Sequence, residues 1–143
     1  MPPKVSVVIP VYNVGKQLEK CLDSVVAQTF PDIEIIVVND GSTDNSPEII
    51  ARYADKDSRI VVIDKSNEGL AYARKSGIEA AQGEYIQHLD GDDFLEPDAI
   101  ELLYNKAIED AADMVVFPFW FDYVDEKKKR SSRPAPGVYD SVS

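Results

Sequence analysis

Short apolar runs rich in β-branched residues alternate along this chain with longer stretches in which apolar positions recur at helical spacing. The runs are Val5–Val11, Ile33–Val38, Ile60–Ile63, Tyr85–Leu89 and Met114–Phe121. The first two are almost unbroken Val and Ile, the signature of strands covered on both faces. Between them Leu18, Leu22, Val25 and Val26 fall on one side of a helix. Ser46-Pro47 fits an N-cap followed by a first-turn proline, opening a second helix over Glu48–Ala54. The spacing predicts a third helix over Glu68–Gln82, stopped by Gly83. Ile100, Leu103, Tyr104, Ala107 and Ile108 keep the i, i+3, i+4, i+7, i+8 rhythm of a fourth, with Pro97 near its start. Strands alternating with helices predict an α/β fold in three layers: a mainly parallel sheet with helices on both faces.

The rhythm decays after Phe121. Asp125-Glu126, the basic run Lys127–Arg130 and a Pro/Gly/Ser-containing end follow, and Gly137–Ser143 reads as the start of another element. The expected division is therefore an α/β domain over residues 1–121 and, over 122–143, a tail, edge hairpin or opening of a further region. There is no internal repeat.

At 143 residues, with 44% apolar and 29% charged positions, the chain has the size and make-up of one globular domain. Its net charge of −11 argues against nucleic-acid binding and requires a local source of positive charge for any anionic ligand. The lone cysteine, Cys21, permits no internal disulfide and reads as core. The N-terminal apolar run is too short for a signal peptide, and no stretch approaches the ~20 apolar residues of a membrane span.

In an open parallel sheet, ligands collect beyond the carboxyl ends of the strands, and the unusual residues of this chain sit at those exits. They are Pro10-Val11-Tyr12-Asn13, Asn39-Asp40-Gly41-Ser42-Thr43-Asp44, Ser66-Asn67-Glu68-Gly69 and Asp90-Gly91-Asp92-Asp93. The last is the most informative. Carboxylates ~4 Å apart repel by roughly 4 kcal/mol at an effective dielectric near 20, and a divalent cation reverses that sign. All-oxygen ligands suit Mg²⁺ or Mn²⁺, which bind substrate phosphates together with one or two carboxylates. Gly91 allows a tight turn that lets the acids converge. Two readings stay open from the residues alone: a cation site, or a solvated acidic turn before a helix with Asp93 as its cap. Asp40-Gly41 is a turn dipeptide or a strand exit. Asn67 can cap the third helix. Arg74 by itself reads as a solvated or salt-bridged surface residue, with an anion as the alternative. His88 reads as a packing residue, and Lys127–Arg130 as a solvated run, with anionic lipid head groups as a second possibility.

These segments together resemble glycosyltransferase family 2, whose members have the GT-A fold, a Rossmann-like nucleotide-diphospho-sugar transferase architecture. The resemblance runs through Val5–Asn13, Val37–Asp44, Asn67-Glu68-Gly69 with Ala73-Arg74, and Leu89–Asp93, in order over about the first 95 residues. The last block matches the DxD element, with Gly91 where serine or alanine is common. By resemblance, Pro10, Tyr12 and Asn13 line the nucleotide pocket, and Asp40 hydrogen-bonds uracil or an equivalent base. Asn67, Gly69 and Gly91 belong to the donor site, and Arg74 shapes or neutralises it. Asp90 contacts ribose or supports the metal shell, and Asp92 is the main ligand of Mn²⁺ or Mg²⁺. The implied reaction is transfer of a sugar, with inversion, from a nucleotide donor such as a UDP-sugar to a saccharide or lipid-linked acceptor. Departure of a nucleoside diphosphate builds negative charge that a cation stabilises, and inversion needs a carboxylate base on the opposite face.

That base lies well beyond the DxD element in the family. Asp122, Asp125 and Glu126 match no motif, so the base is expected beyond residue 143, and these residues alone are expected to bind donor without turning it over. The resemblance further implies polysaccharide biosynthesis in the cytoplasm, at or near the inner face of a membrane. No G-x-G-x-x-G or G-x-x-x-x-G-K-[ST] follows the first strand, which disfavours a dinucleotide-binding domain and excludes a P-loop enzyme. A sugar nucleotidyltransferase would need a Gly-rich basic loop where Tyr12-Asn13-Val14-Gly15 stands.

Overall fold

A computed structural model describes residues 2–116 and the strand segments 121–122, 127–128 and 137–138. Strands β1 (Val5–Val11), β2 (Ile33–Asp40), β3 (Ile60–Lys65) and β4 (Tyr85–His88) form one parallel sheet in the order β3-β2-β1-β4. Helices α1 (Gly15–Val26), α2 (Ser46–Lys56) and α3 (Leu70–Ala80) make the crossovers, and α4 (Ala99–Glu109) follows β4. The chain thus winds outward from β1 to β3, then returns to lay β4 on the other side of β1. The direction of winding reverses between β1 and β4, which places the ligand crevice of such a sheet above that pair.

The near-continuous Val/Ile runs do what their composition predicts. Every residue of β1 is buried, and β2 is buried except for half-exposed Glu34. Val8, Ile36 and Val38 share one face and pack with Ala73 of α3. Val7, Ile9, Ile35 and Val37 alternate to the other face and are equally inaccessible, so both faces are covered. A Cβ on Gly77 would come within 2.3 Å of Val8 Cγ1, so α3 lies unusually close to the sheet. At the edge, β3 leaves Val61 and Val62 exposed.

Several local expectations are corrected. Helix α2 begins at Ser46, not after it, and the buried Ser46 hydroxyl has no hydrogen-bond partner among the described residues, so it is no N-cap. Asn67 does not cap α3, whose N-cap is Gly69 at φ 100°. Asp93 does not cap α4, which starts only at Ala99. Of the run Met114–Phe121, Val115–Val116 pair antiparallel with Gly137–Val138 instead of extending the parallel sheet; residues 117–120 lie outside the described residues. Phe121–Asp122 pair antiparallel with Lys127–Lys128, and Asp125, Glu126, Lys129 and Arg130 are likewise outside the description. Residues 1–101 and 102–143 form two compact units. Among the described residues, no helix is long and apolar enough to cross a membrane.

Candidate functional site

The strand exits are tied to one another by side chains. Asn13, at a left-handed φ of 51°, leaves β1 and turns its amide onto the β2 exit. Its Oδ1 accepts from the Thr43 and Asp44 amides at 2.7 and 3.2 Å, and its Nδ2 donates to Thr43 Oγ1 at 3.2 Å. Its own backbone N–H donates to Ser42 Oγ at 3.1 Å. Tyr12 beside it is half exposed, and Pro10 is buried.

Asp40 ends β2 in the core, only 2% exposed. Its Oδ1 and Oδ2 accept from the Glu68 and Gly69 amides, each at 3.0 Å, and Asn67 Nδ2 donates to the Asp40 carbonyl at 3.1 Å. Asp40-Gly41 is therefore a strand exit whose acid braces the loop entering α3. Gly41 sits at φ 73°, where a Cβ would meet the Asn67 amide nitrogen at 2.7 Å, so no other residue fits there without moving that loop.

The acidic loop follows β4 at the reversal point. Gly91 is buried with its N–H donating to the Pro10 carbonyl at 3.3 Å. Gly91 stands in the turn expected of it, and an added Cβ would touch Val14 Cγ2 at 2.9 Å, so at a φ that is not left-handed this glycine also serves close packing under the β1 exit. The Asp93 amide donates to the Asp90 carbonyl at 3.0 Å, closing a turn that points three acids the same way. One carboxylate oxygen from each of Asp90, Asp92 and Asp93 lies within 4.8 Å of the others. Burial, then the charges of Asp92 and Asp90, push the Asp93 carboxyl above the usual range. Below the loop, burial first and these same acids next push the Cys21 thiol up to about 12, which leaves it an inert core residue.

Among the described residues, Arg74 answers the cluster with positive charge. Arg74 of α3 donates to Asp90 Oδ1 at 2.9 Å, each side chain about two-fifths exposed, while its buried Nε has no hydrogen-bond partner among the described residues. Arg74 is thus both salt-bridged and turned toward the acids. The segment after the loop is held by α1 and the residues that follow it: Ser24 Oγ accepts from the Leu95 amide at 3.1 Å, and Gln28, just past the helix, donates to the Glu96 carbonyl at 2.7 Å and accepts from the Ile100 amide at 3.0 Å. Exposed His88 is no packing residue, and it is not part of the acidic group.

The donor set fits a hard divalent cation: three carboxylates at bridging separation, raised in energy by their mutual repulsion, and no sulfur or imidazole among them. The glycosyl transferase family 2 model matches residues 6–140. The chain belongs to that family. It is 48% identical over 113 residues to glycosyltransferase GlyA of Streptococcus pneumoniae, covering 79% of this chain and 16% of GlyA. Among solved structures, S. aureus TarS in complex with UDP-GlcNAc superposes with a TM-score of 0.73 at 30% identity, covering 77% of this chain and 32% of that one. Mannosyltransferase PcManGT from Pyrobaculum calidifontis, in complex with GDP-Man and Mn²⁺, gives 0.66 at 29% identity, covering 82% and 34%. The chain thus spans a minor part of the length of each relative, and the parallel α/β core is the part shared.

Within this family member, the structure brings Pro10, Tyr12, Asn13, Asp40, Asn67, Gly69, Arg74, Asp90, Gly91 and Asp92 to the carboxyl edge of one sheet. The sequence places Asp93 in the acidic run of the candidate cation loop but assigns it no ligand role of its own, and it gives no sign of Ser42, Thr43 and Asp44 as contacts of Asn13. Adjacency in the acidic run was the signal available for Asp93. The contacts of Asn13 span about thirty residues and had no local signal.

Proposed function

We propose that this chain forms the donor-binding part of an inverting, metal-dependent glycosyltransferase that takes a nucleotide sugar, UDP-linked, and serves a saccharide or lipid-linked acceptor. The observation that carries the reading is the convergence of Asp90, Asp92 and Asp93, with Arg74 against Asp90, at the point where the sheet reverses direction. Complexes of the similar structures with UDP-GlcNAc, and with GDP-Man and Mn²⁺, support it.

In this reading Asp92 and Asp93, the exposed pair, hold Mn²⁺ or Mg²⁺, and Asp90, already engaged by Arg74, supports them. When bound, the cation acts as a Lewis acid on the diphosphate leaving group. The chain's own residues do the rest. Arg74 supplies a second positive charge beside the acids, which a chain of net charge −11 needs before it can admit a diphosphate. Tyr12 offers an exposed ring at the β1 exit for a base, and Asp40 holds the Glu68-Gly69 turn beneath it.

Titration with UDP in the presence and absence of Mn²⁺ tests the proposal. Binding should require metal, and Asp92→Ala should weaken it about 100-fold or more, as expected for losing a main ligand. Equal UDP binding by Asp92→Ala and wild type would overturn it. A second reading, donor binding without turnover by these residues alone, is favoured by the 16% coverage of GlyA. Donor hydrolysis measured on this chain decides it, because any metal-dependent turnover rejects that reading.

A further inference from the structure

Neither α1 nor α2 carries a side-chain cap at its own N-terminus: the N-cap residues are Val14 and Asn45, and neither side chain bonds to the helix it precedes. Both helices nevertheless have an acceptor at their first amide, and it is the same group. Asp44 Oδ2 accepts from Gly15 N–H at 2.9 Å, and Asp44 Oδ1 accepts from Ser46 N–H at 2.9 Å. Gly15 is the first residue of α1 and Ser46 the first of α2. One carboxylate therefore closes two helix starts whose aligned amides both favour negative charge.

The position of this acid matters more than its capping. Helix α1 begins directly after the β1 exit, and α2 directly after the β2 exit, so a bridge between the two starts fixes the spacing of the two exits. Asn13 makes the complementary tie from the other loop, to Thr43 and Asp44. The two loops are thereby sewn into one unit. A Cβ on Gly15 would stand 2.9 Å from Asp44 Oδ2 and 2.0 Å from Asn45 Oδ1, so the bridge also depends on the bare backbone there.

We propose that Asp44 is a positioning residue for the nucleotide: by bridging the starts of α1 and α2 it holds Tyr12 and Asn13 in register with the β2 exit, so that the base side of the donor site is preformed. This rests on the donor-binding reading above. Asparagine at this position keeps only one good acceptor and can cap one helix; alanine caps neither.

The experiment compares wild type, Asp44→Asn, Asp44→Ala and Ser6→Ala, the last altering a polar clamp at the opposite end of the sheet. Mn²⁺ binding alone, UDP binding at saturating Mn²⁺, thermal midpoint and amide exchange at Gly15 and Ser46 are measured. Expected is a UDP affinity loss of about tenfold for Asp44→Ala and a smaller one for Asp44→Asn. Mn²⁺ affinity should fall less than UDP affinity, and exchange should be faster at both amides in the alanine variant. Ser6→Ala should lower the thermal midpoint without touching UDP affinity. The proposal is overturned if Asp44→Ala frees both amides yet binds UDP within twofold of wild type, or if Mn²⁺ and UDP affinities fall together in proportion to stability in all variants. Should Asp44→Ala not fold, Asp44→Asn decides by the same two criteria. Failure of wild type to bind UDP at all would strike the donor-binding reading instead, leaving the amide-exchange result to report on the bridge alone.

Discussion

The two ends of the same sheet handle polar groups in opposite ways. At the amino edge, Ser6 is wholly buried, donates to Glu34 Oε1 at 2.5 Å and accepts from the Gly83 amide at 2.8 Å, while the Gln82 amide donates to the same Glu34 oxygen at 2.6 Å. Each group there has a partner supplied by a neighbouring strand or turn. At the carboxyl edge three acids crowd together, the buried Arg74 Nε has no partner among the described residues, and Asn13 holds a left-handed conformation. A self-contained polar clamp stabilises a fold. A cluster with unmet charge and stored strain is costly in isolation and becomes favourable only when something else joins it. The contrast separates the end that holds the strands together from the end proposed to bind.

Steric intrusion at Gly91 should break the binding end most severely. Its added Cβ meets Val14 Cγ2 at 2.9 Å, Pro10 O at 3.2 Å and Val11 Cγ2 at 3.3 Å, two of them backbone or buried core atoms. Gly91→Val should displace the acidic loop from β1, costing about 1–3 kcal/mol of stability by overpacking. UDP and Mn²⁺ affinity should fall with it. Denaturant unfolding and metal titration read both effects. Unchanged stability would mean that the loop moves freely and that its acids are not fixed by β1.

Ser6→Ala is the smaller, mirror-image test. It removes the group that joins Glu34 to the Gly83 amide and leaves that amide without its acceptor, so roughly 1–3 kcal/mol of stability should be lost, toward the lower end because half-exposed Glu34 can turn to water. UDP affinity should stay within twofold of wild type. A parallel loss of UDP binding would show that the two ends are energetically coupled and that the distinction between them is false.

What could be read from the residues follows the range of the forces involved. The two central strands were legible because burial on both faces demands unbroken Val and Ile, a local property of Val5–Val11 and Ile33–Val38. The acidic loop was legible because its repulsion lies within four consecutive residues. The caps were misread for the opposite reason. Ser46 and Asn67 stand where capping residues stand, yet a carboxylate two residues upstream takes the amide of Ser46, and Asp40 takes the side chain of Asn67. Arg74 and Asp90 are separated by 16 positions and meet only because α3 crosses back over β1. No periodicity records such a contact. Gly91 was expected for a turn and is required for a packing clearance that only the β1 exit reveals.

The smallest predicted effect is the most specific to the comparison, because it should raise stability while harming function. Burial and the neighbouring acids lift the Asp93 carboxyl above its ordinary 3.8. The folded protein therefore takes up that proton before the unfolded chain does, so ionised Asp93 is a destabilising feature at neutral pH that is relieved as pH falls. Asp93→Asn should accordingly stabilise the metal-free protein near pH 7, by less than about 1 kcal/mol because the side chain is largely solvated. The gain should shrink as pH drops through the raised value and vanish below 3.8, where the native acid is also neutral. Asp44 and Asp57, whose carboxyls sit below the usual range, lose stabilising contacts over the acid side of the same scan, but equally in both proteins, so the difference between them isolates Asp93. Adding Mn²⁺ should invert the order, since wild type gains RT ln(1 + [M]/Kd) from a tighter site and the variant gains less. Thermal midpoints of the two proteins, with and without Mn²⁺ at two pH values, measure all of this. If Asp93→Asn destabilised the metal-free protein, the acids would be held by contacts internal to the loop, and the carboxyl edge would be a second clamp like the one at Ser6.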